Sequence, residues 1–232
     1  RAGFTWFQPI WGPGSSLEFV ATFNAAAHQY IGFGGGDDTL MFYGAPWALL
    51  GTGDAGARVY ARVFAVGGSM IDYAIPGTLL GAPHKYRIDW KATSVDFYVD
   101  DALVRSETIT LPAMRVAMSD RTVGGPALSV DWIHVTPYAA SGSFTSRVFD
   151  GGAAAAWGQM SWTASLPSGA SLQMFERQGN TVSPDGSWTT YTAIPSSGTS
   201  VGGSSRYIQY RADLATTVPA ATPVLQDVHV TC

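Results

Sequence analysis

Three side chains with binding chemistry alternate along residues 57–66, ARVYARVFAV. A strand repeats every two residues, so Arg58, Tyr60 and Arg62 would share one face with Phe64. A tyrosine ring offers a flat face and a hydroxyl, and an arginine can hold a carboxylate or sulfate through two parallel hydrogen bonds. The spacing predicts a binding face, and the two arginines favour an acidic or sulfated ligand. A solvated strand face is the alternative.

Two further aromatic residues, Tyr30 and Trp47, could flank that face, and packing in the core or at its rim is the alternative for each. The histidines stand far apart in sequence, so none forms a local pair with the spacing of a zinc or copper site. They are His28, His84, His134 and His229.

Composition excludes several classes of partner. The 232 residues carry a formal net charge of −4, with no basic run, so nucleic acid is not expected to bind. No apolar run approaches the roughly 20 residues that a membrane-spanning helix needs, so we expect no membrane insertion. The single cysteine, Cys232, cannot form an internal disulfide.

The ends and the composition also suggest where the protein works. The chain begins at RAGFTWFQ without a methionine, so we expect a processed or excised piece of a longer protein with neighbouring domains. Abundant glycine, serine and threonine with only two lysines favour a secreted or surface-attached bacterial protein.

Apolar and polar residues alternate along most of the chain, which predicts strands. In SLEFVATF (16–23), Leu17, Phe19, Ala21 and Phe23 fall on one face. The same pattern groups further core candidates: Val59, Ala61 and Val63; Tyr86, Ile88 and Trp90; and Val95, Phe97 and Val99.

A small-residue break, AASGS (139–143), separates two sets of strands. We predict an all-β fold of two tandem antiparallel β-sandwiches, over residues 1–138 and 142–232. The run AAAA (153–156) is the one helix-like piece. In the second half we expect Trp188 to be buried, and we expect the following residues to face the core: Ile208, Tyr210, Ala212 and Leu214.

The hairpin formed by HKYRIDW (84–90) and SVDFYVDD (94–101) resembles one in the concanavalin A-like lectin and glucanase superfamily, especially family 16 glycoside hydrolases. Asp101 stands where that family usually has glycine. The closing strand SVDWIHVTPY (129–138) is also similar, and the likeness covers about residues 14–138. It implies a concanavalin A-like or laminin G-like jelly roll. The second half resembles galactose-binding-like or immunoglobulin-like accessory sandwiches.

The family's hydrolases cut with a Glu-x-Asp-x-x-Glu strand, which should precede His84. Residues 47–66 contain no glutamate and one aspartate, Asp54. An arginine can act neither as a general acid near neutral pH nor as an attacking carboxylate. The resemblance therefore implies a non-catalytic glycan-binding or adhesion module, with polysaccharide or glycoconjugate bound on the concave face of the first sandwich.

The resemblance also implies a structural calcium at Asp131, because the family's closing-strand aspartate often binds one. Asp37 and Asp38 in GGGDD (34–38) form a second possible calcium loop, with plain turn aspartates as the alternative. The aromatic residues Trp6, Phe7 and Trp11 are expected to plug one end of the sandwich.

Two alternatives remain open. One is a hydrolase or polysaccharide lyase with relocated catalytic residues, in which a tyrosine and histidine pair could act beside an arginine that neutralises a uronate. Its candidate residues are Glu18, Asp54, Tyr60 and His84. The other is a structural spacer or filament subunit with no small ligand.

Overall fold

A computed structural model describes residues 10–35, 44 and 46–232. Trp6, Phe7, Asp37 and Asp38, to which the sequence assigned roles, lie outside the described residues. The chain divides into two compact units, Arg1–Pro137 and Tyr138–Cys232. None of the described segments is a helix with the length and apolar character needed to cross a membrane.

The described residues of the first unit form ten strands. In chain order they are β1 (Ser15–Thr22), β2 (Gln29–Gly34), β3 (Trp47–Gly51), β4 (Tyr60–Phe64), β5 (Met70–Ala74), β6 (His84–Trp90), β7 (Ser94–Val99), β8 (Ala102–Thr108), β9 (Arg115–Asp120) and β10 (Ser129–Thr136).

These strands form two antiparallel five-stranded sheets. Sheet A has the order β10-β1-β6-β7-β8, and sheet B has the order β5-β4-β3-β2-β9. Strands distant in sequence pair at the ends, with β10 beside β1 and β9 beside β2. The all-β prediction with antiparallel β-sandwiches is confirmed.

The core of the first unit lies between sheets A and B and follows the two-residue period of the strands. Leu17, Phe19 and Phe23 are completely buried. From sheet B, Ala61 and Val63 on β4 contact the same cluster. Arg62, which lies between them, therefore points away from the core. The predicted core faces of 16–23, 84–90 and 94–99 are confirmed.

Glycine at two positions of sheet B allows close packing. A Cβ on Gly32 would lie 2.3 Å from the carbonyl oxygen of Ala48, and a Cβ on Gly51 would lie 2.4 Å from the ring of Tyr30. Gly51 therefore allows Tyr30 to lie across the neighbouring strand, on the outer face of the sheet.

The turn between β7 and β8 is a two-residue loop with unusual backbone geometry. Asp100 and Asp101 have φ angles of 48° and 67°, in the left-handed region that glycine tolerates best. Asp100 offsets part of this cost, because its carboxylate accepts a hydrogen bond from the Lys85 amide at 3.0 Å and contacts His84 Nδ1 at 2.8 Å. Asp101 has only an exposed ion pair with Lys85.

Replacing Asp101 with glycine should stabilise the first unit. The relief of the left-handed backbone exceeds the loss of one surface ion pair, so Asp101→Gly should raise the free energy of unfolding by roughly 0.5 kcal/mol. Asp101→Ala is the matched control, because it loses the ion pair and keeps the backbone cost. Urea unfolding of both variants tests this, and an alanine variant as stable as the glycine variant would contradict it.

The second unit consists of eight strands. They are β11 (Ser141–Thr145), β12 (Phe149–Ala156), β13 (Gln159–Ser165), β14 (Ala170–Gly179), β15 (Thr192–Ile194), β16 (Thr199–Ser200), β17 (Ser204–Thr216) and β18 (Val224–Val230).

These eight strands form two sheets. Sheet C has the order β11-β17-β14-β15, with β12 also paired to β17, and sheet D has the order β16-β13-β18. Met160 of sheet D packs with Met174 and Ala212 of sheet C in a small core. The alanine run 153–156 belongs to β12, because its residues continue the pairing with β17; reading it as helix-like was wrong.

Glu176 is a carboxylic acid on the inner face of sheet C. It lies two residues after the core residue Met174 on β14 and is only 5% exposed. Its Oε2 atom has no hydrogen-bond partner within the described part of the chain. Burial raises the pKa of Glu176, and a hydrogen bond with Gln178 only partly opposes that rise.

The raised pKa of Glu176 makes the stability of the second unit depend on pH. The folded state binds the proton more tightly than the unfolded state, so stability falls as pH rises from the unfolded pKa through the folded pKa. Above that window the cost of a buried charge is fully present.

Glu176→Gln should therefore stabilise the second unit at neutral pH by about 1 kcal/mol and should give little gain at acidic pH. Asp227→Asn removes the same charge from an exposed position and serves as the control. Thermal unfolding of both variants across pH measures the difference. A gain from Glu176→Gln that does not change with pH would refute the buried-charge explanation.

Candidate functional site

A cavity of about 290 Å³ opens on the outer face of sheet B, away from the core. Tyr30, Trp47, Arg62, Phe64 and Met70 form most of its wall. Leu49 also lines it, and a second group of lining residues comes from loops: His28, Asp54 and Arg121. The cavity thus combines aromatic surface with charged and polar groups.

Strand register places the wall residues side by side. Trp47 of β3 pairs with Phe64 of β4, and Phe64 pairs with Met70 of β5. Two positions further along the strands, Arg62 lies between Leu49 and the edge-strand residue Asp72. Because side chains at directly paired positions point to the same face, these residues meet on the outer surface.

Arg62 is only 6% exposed, and hydrogen bonds hold its guanidinium in place. Its Nε donates to Asp72 Oδ1 at 2.7 Å and its Nη2 donates to Asp72 Oδ2 at 2.9 Å, which is the two-bond geometry typical of arginine and carboxylate. Its Nη1 donates to the Tyr30 hydroxyl at 2.9 Å. Burial alone would lower the pKa of Arg62, but the bonds with Asp72 and Tyr30 raise it, so the guanidinium stays charged.

Tyr30 connects Arg62 with the loop side of the cavity. Its hydroxyl lies 3.2 Å from His28 Nδ1, which lies 3.4 Å from Asp54. Burial raises the pKa of Tyr30, and the Arg62 guanidinium lowers it in part. Since arginine can only donate, the Tyr30 oxygen accepts from Arg62, and the hydroxyl hydrogen can be donated to a neutral His28.

His28 has a left-handed backbone, with φ of 64°. Residues other than glycine seldom adopt this backbone conformation, and where they do the surrounding structure holds them in place. The His28 amide donates to the Gly53 carbonyl at 2.8 Å, and this bond ties the residue to the turn that carries Asp54.

Trp47 is 4% exposed and forms the aromatic wall of the cavity. Its ring meets Phe64 edge to face at 5.5 Å, and the Arg62 guanidinium lies 5.6 Å from it. Its indole Nε1 is buried and has no hydrogen-bond partner among the described residues. A buried N–H donor without a partner lowers the stability of the folded protein.

The sequence-predicted site residues separate into two groups. Arg62, Tyr30 and Trp47 come together at the cavity. Arg58 is exposed in a bend before β4, because the strand is shorter than the predicted 57–66, and it is not among the described lining residues. Tyr60 is half-buried beside Gly53 and also does not line the cavity.

Four residues of the site were not identified from sequence for this role: His28, Asp54, Asp72 and Arg121. His28 was dismissed because no second histidine stands near it, and Asp54 was considered only as a catalytic acid. Asp72 lies on the edge strand β5. The alternation of apolar residues in the sequence does not reveal that β5 pairs with β4. His28 directly precedes β2 and Arg121 directly follows β9, and the sequence pattern had marked neither position as the end of a strand.

Asp131 lies on β10 at a bulge, where Val20 pairs with Trp132 and Ala21 with Val130. It is exposed. The described part of the chain contains no group of three or more His, Cys, Asp or Glu side chains able to hold a metal. Calcium at Asp131 would need backbone carbonyls and water as its other ligands, and the site stays a prediction.

The described lining of the cavity does not present a pair of free carboxylates. Retaining glycosidases use two carboxyl groups about 5–5.5 Å apart on either side of the scissile bond. Both oxygens of Asp72 accept hydrogen bonds from Arg62, and Asp54 is the one carboxylate among the described lining residues. Residues 198–202, GTSVG, fit the spacing of a serine nucleophile elbow, but Ser200 lies on β16, outside any strand-to-helix turn.

The outer face of sheet C carries a stack of alternating aromatic and arginine side chains. Arg211 lies 4.5 Å from the Phe175 ring and 4.7 Å from Tyr191, and Arg177 lies 4.7 Å from Tyr191 and 5.5 Å from Trp188. Trp188 is buried within this stack, as predicted. The stack holds the segment around Trp188 and Tyr191 against β14 and β17.

No model of a known protein family matches the chain, and a search of curated proteins finds no match. Among solved structures, a Bacillus licheniformis β-glucanase is similar with a TM-score of 0.35 and 20% identity, over 47% of this chain and 53% of the glucanase. Xenopus laevis galectin-Ib is similar with a TM-score of 0.41 and 13% identity, over 58% of this chain and 99% of the galectin.

Domains LG4-5 of the mouse laminin α1 chain give a TM-score of 0.35 and 15% identity, over 75% of this chain and 52% of theirs. This chain thus matches about half the length of the first glycoside hydrolases found. Values of this size assign neither a family nor an activity.

Breaking the ion pair between Arg62 and Asp72 should destabilise the first unit. Asp72→Asn leaves a buried guanidinium without its counter-ion and should cost about 2 kcal/mol, less than a fully buried pair because Asp72 is partly exposed. Arg62→Met/Asp72→Asn removes the charge as well and should recover part of the loss. Urea unfolding measures both, and a double variant no more stable than Asp72→Asn would show that burial of the charge is not the cause.

Proposed function

We propose that this chain is a non-catalytic glycan-binding module of a secreted or surface-attached bacterial protein, and that it binds sugar in the cavity on sheet B. The observation that carries the proposal is the wall of Tyr30, Trp47 and Arg62, in which aromatic surface surrounds a fixed hydrogen-bonding group. Sugar sites combine these two features, because sugar rings have apolar faces and polar edges.

The charges around the cavity favour an uncharged sugar. The charge of Arg62 is balanced by Asp72, so Arg62 cannot serve as the free sulfate or uronate clamp that its sequence position suggested. On the loop side, Arg121 and Asp54 carry opposite charges. His28 and Tyr30 supply a ring nitrogen and a hydroxyl, which suit the hydroxyl groups of a neutral glycan.

A polysaccharide lyase is the second candidate, and the contact of 3.2 Å between His28 and the Tyr30 hydroxyl favours it. A lyase would use this pair to remove a proton beside a uronate carboxylate that an arginine neutralises. Burial raises the pKa of Tyr30, which opposes its use as a base, and Arg62 is already paired. New absorbance from unsaturated chain ends on alginate or polygalacturonate would support the lyase and contradict the binding module.

Gel retardation on a panel of soluble polysaccharides tests the binding proposal. The panel contains laminarin, lichenan, hydroxyethylcellulose, amylose, galactan and mannan as neutral polymers, with carrageenan and alginate as anionic ones. We expect retardation by a neutral polymer and a loss of about tenfold in affinity for Tyr30→Phe, since this substitution removes the hydroxyl that is proposed to bond to the sugar.

Tyr98→Phe is the matched control for Tyr30→Phe. Tyr98 also contacts an arginine, with Arg87 Cζ 3.9 Å from its ring, but it lies on sheet A. Its hydroxyl can be removed without touching the cavity, so binding should not change. Retardation by no polymer, or equal loss in both variants, would count against the proposal.

Calcium binding at Asp131 is a separate part of the proposal. It is supported only by the position of Asp131 at a bulge of β10, the last strand of the first unit. Calcium should raise the melting temperature of the wild-type protein and leave Asp131→Ala unchanged. An equal response of both proteins to calcium, or to its chelation, would remove the site.

A further inference from the structure

We infer that the cavity on sheet B takes a single sugar ring at the end of a glycan chain, and that it does not hold several rings along a chain. This inference rests on the proposed function and concerns the same site. The sequence-based expectation, a polysaccharide or glycoconjugate bound on the concave face of the first sandwich, did not specify how many rings are bound.

The size of the cavity supports one ring. Its volume of about 290 Å³ is close to the lower limit of the roughly 300–1,000 Å³ found for small-molecule pockets. One pyranose ring with its hydroxyl groups fills such a space, whereas two linked rings exceed it.

The depth of the wall residues points the same way. Tyr30, Trp47 and Arg62 are each no more than 6% exposed, so their exposed atoms can be reached only from inside the cavity. A chain lying across an open sheet face would instead need aromatic rings presented broadly to solvent. The ligand must therefore insert a part of itself, and a chain end can do so more easily than a chain middle.

Side chains at both sides of the cavity limit its length. Met70, which is 49% exposed, and Phe64 stand at one side, and the loop residues His28 and Asp54 stand at the other. The outward positions of β9 that pair with Tyr30 and Gly32 are Ser119 and Ala117, and neither belongs to the described lining. The described face thus continues beyond the cavity without adding to it.

The length dependence of binding tests this inference. Linear oligosaccharides from disaccharide to hexasaccharide, prepared from the neutral polymers of the panel, are titrated by calorimetry. If only the terminal ring is bound, the Kd per chain should vary by less than about twofold, since added rings make no contacts. A cyclic oligosaccharide of the same linkage has no chain end and should not bind.

Two variants show that the cavity is responsible. Tyr30→Phe removes a hydroxyl group from the cavity wall. Met70→Trp fills the cavity from its exposed side without changing the core. Each variant should reduce the affinity for all oligosaccharide lengths by one common factor. Circular dichroism checks that each variant folds.

The outcomes separate the two proposals. Affinity that rises steadily with chain length, or equal binding of the cyclic sugar, overturns the single-ring inference and leaves the glycan-binding function standing. Length-independent binding that neither variant weakens places the ring elsewhere and also overturns the inference. Binding of no oligosaccharide and no polymer overturns both.

Discussion

The ion pair between Arg62 and Asp72 is the interaction on which the candidate site depends. A guanidinium that is 6% exposed needs a counter-ion, and Asp72 supplies one with two hydrogen bonds of 2.7 and 2.9 Å. With two of its nitrogens committed, Arg62 has a fixed orientation, and its third nitrogen meets the Tyr30 hydroxyl. Tyr30 in turn reaches His28, so one ion pair on β4 and β5 positions polar groups as far as the loop side of the cavity.

Glycine makes this arrangement possible within a sheet. Tyr30 lies over Gly51 of the neighbouring strand, where any Cβ would collide with its ring. Without that space the ring would be displaced outward, and its hydroxyl would leave Arg62. The cavity therefore depends on a backbone position with no side chain as much as on the residues that line it.

The sequence was sufficient for the core and for the fold class, and only partly sufficient for the site. Alternation correctly placed Leu17, Phe19 and Phe23 in the core. Burial of one strand face makes apolar residues recur at every second position of the sequence. The same period placed Arg62 on the outer face. It could not show that Asp72 neutralises Arg62, because the register of a neighbouring strand is a tertiary property.

Loop residues were the other limit. Arg58 was given the same role as Arg62 because both fit the alternation, yet the strand begins only at Tyr60 and Arg58 stays in an exposed bend. His28 lies next to the first residue of β2, where its φ of 64° is set by the turn it contacts through Gly53. Neither the end of a strand nor a left-handed histidine is encoded in a pattern of apolar residues.

The two outer faces of the first unit carry similar residues, and their comparison shows why only one is proposed as a site. On sheet A, Arg87 stacks on Tyr98 at 3.9 Å and keeps 30% of its side chain exposed. There the arginine lies over the tyrosine ring and also contacts Asp89 of its own strand at 3.1 Å. On sheet B, Arg62 is drawn to Asp72 and lies 5.4 Å from the Tyr30 ring, so the ring and the guanidinium stand beside a space. The same two residue types therefore give a covered surface or a cavity, depending on whether a carboxylate on the next strand holds the arginine away from the ring.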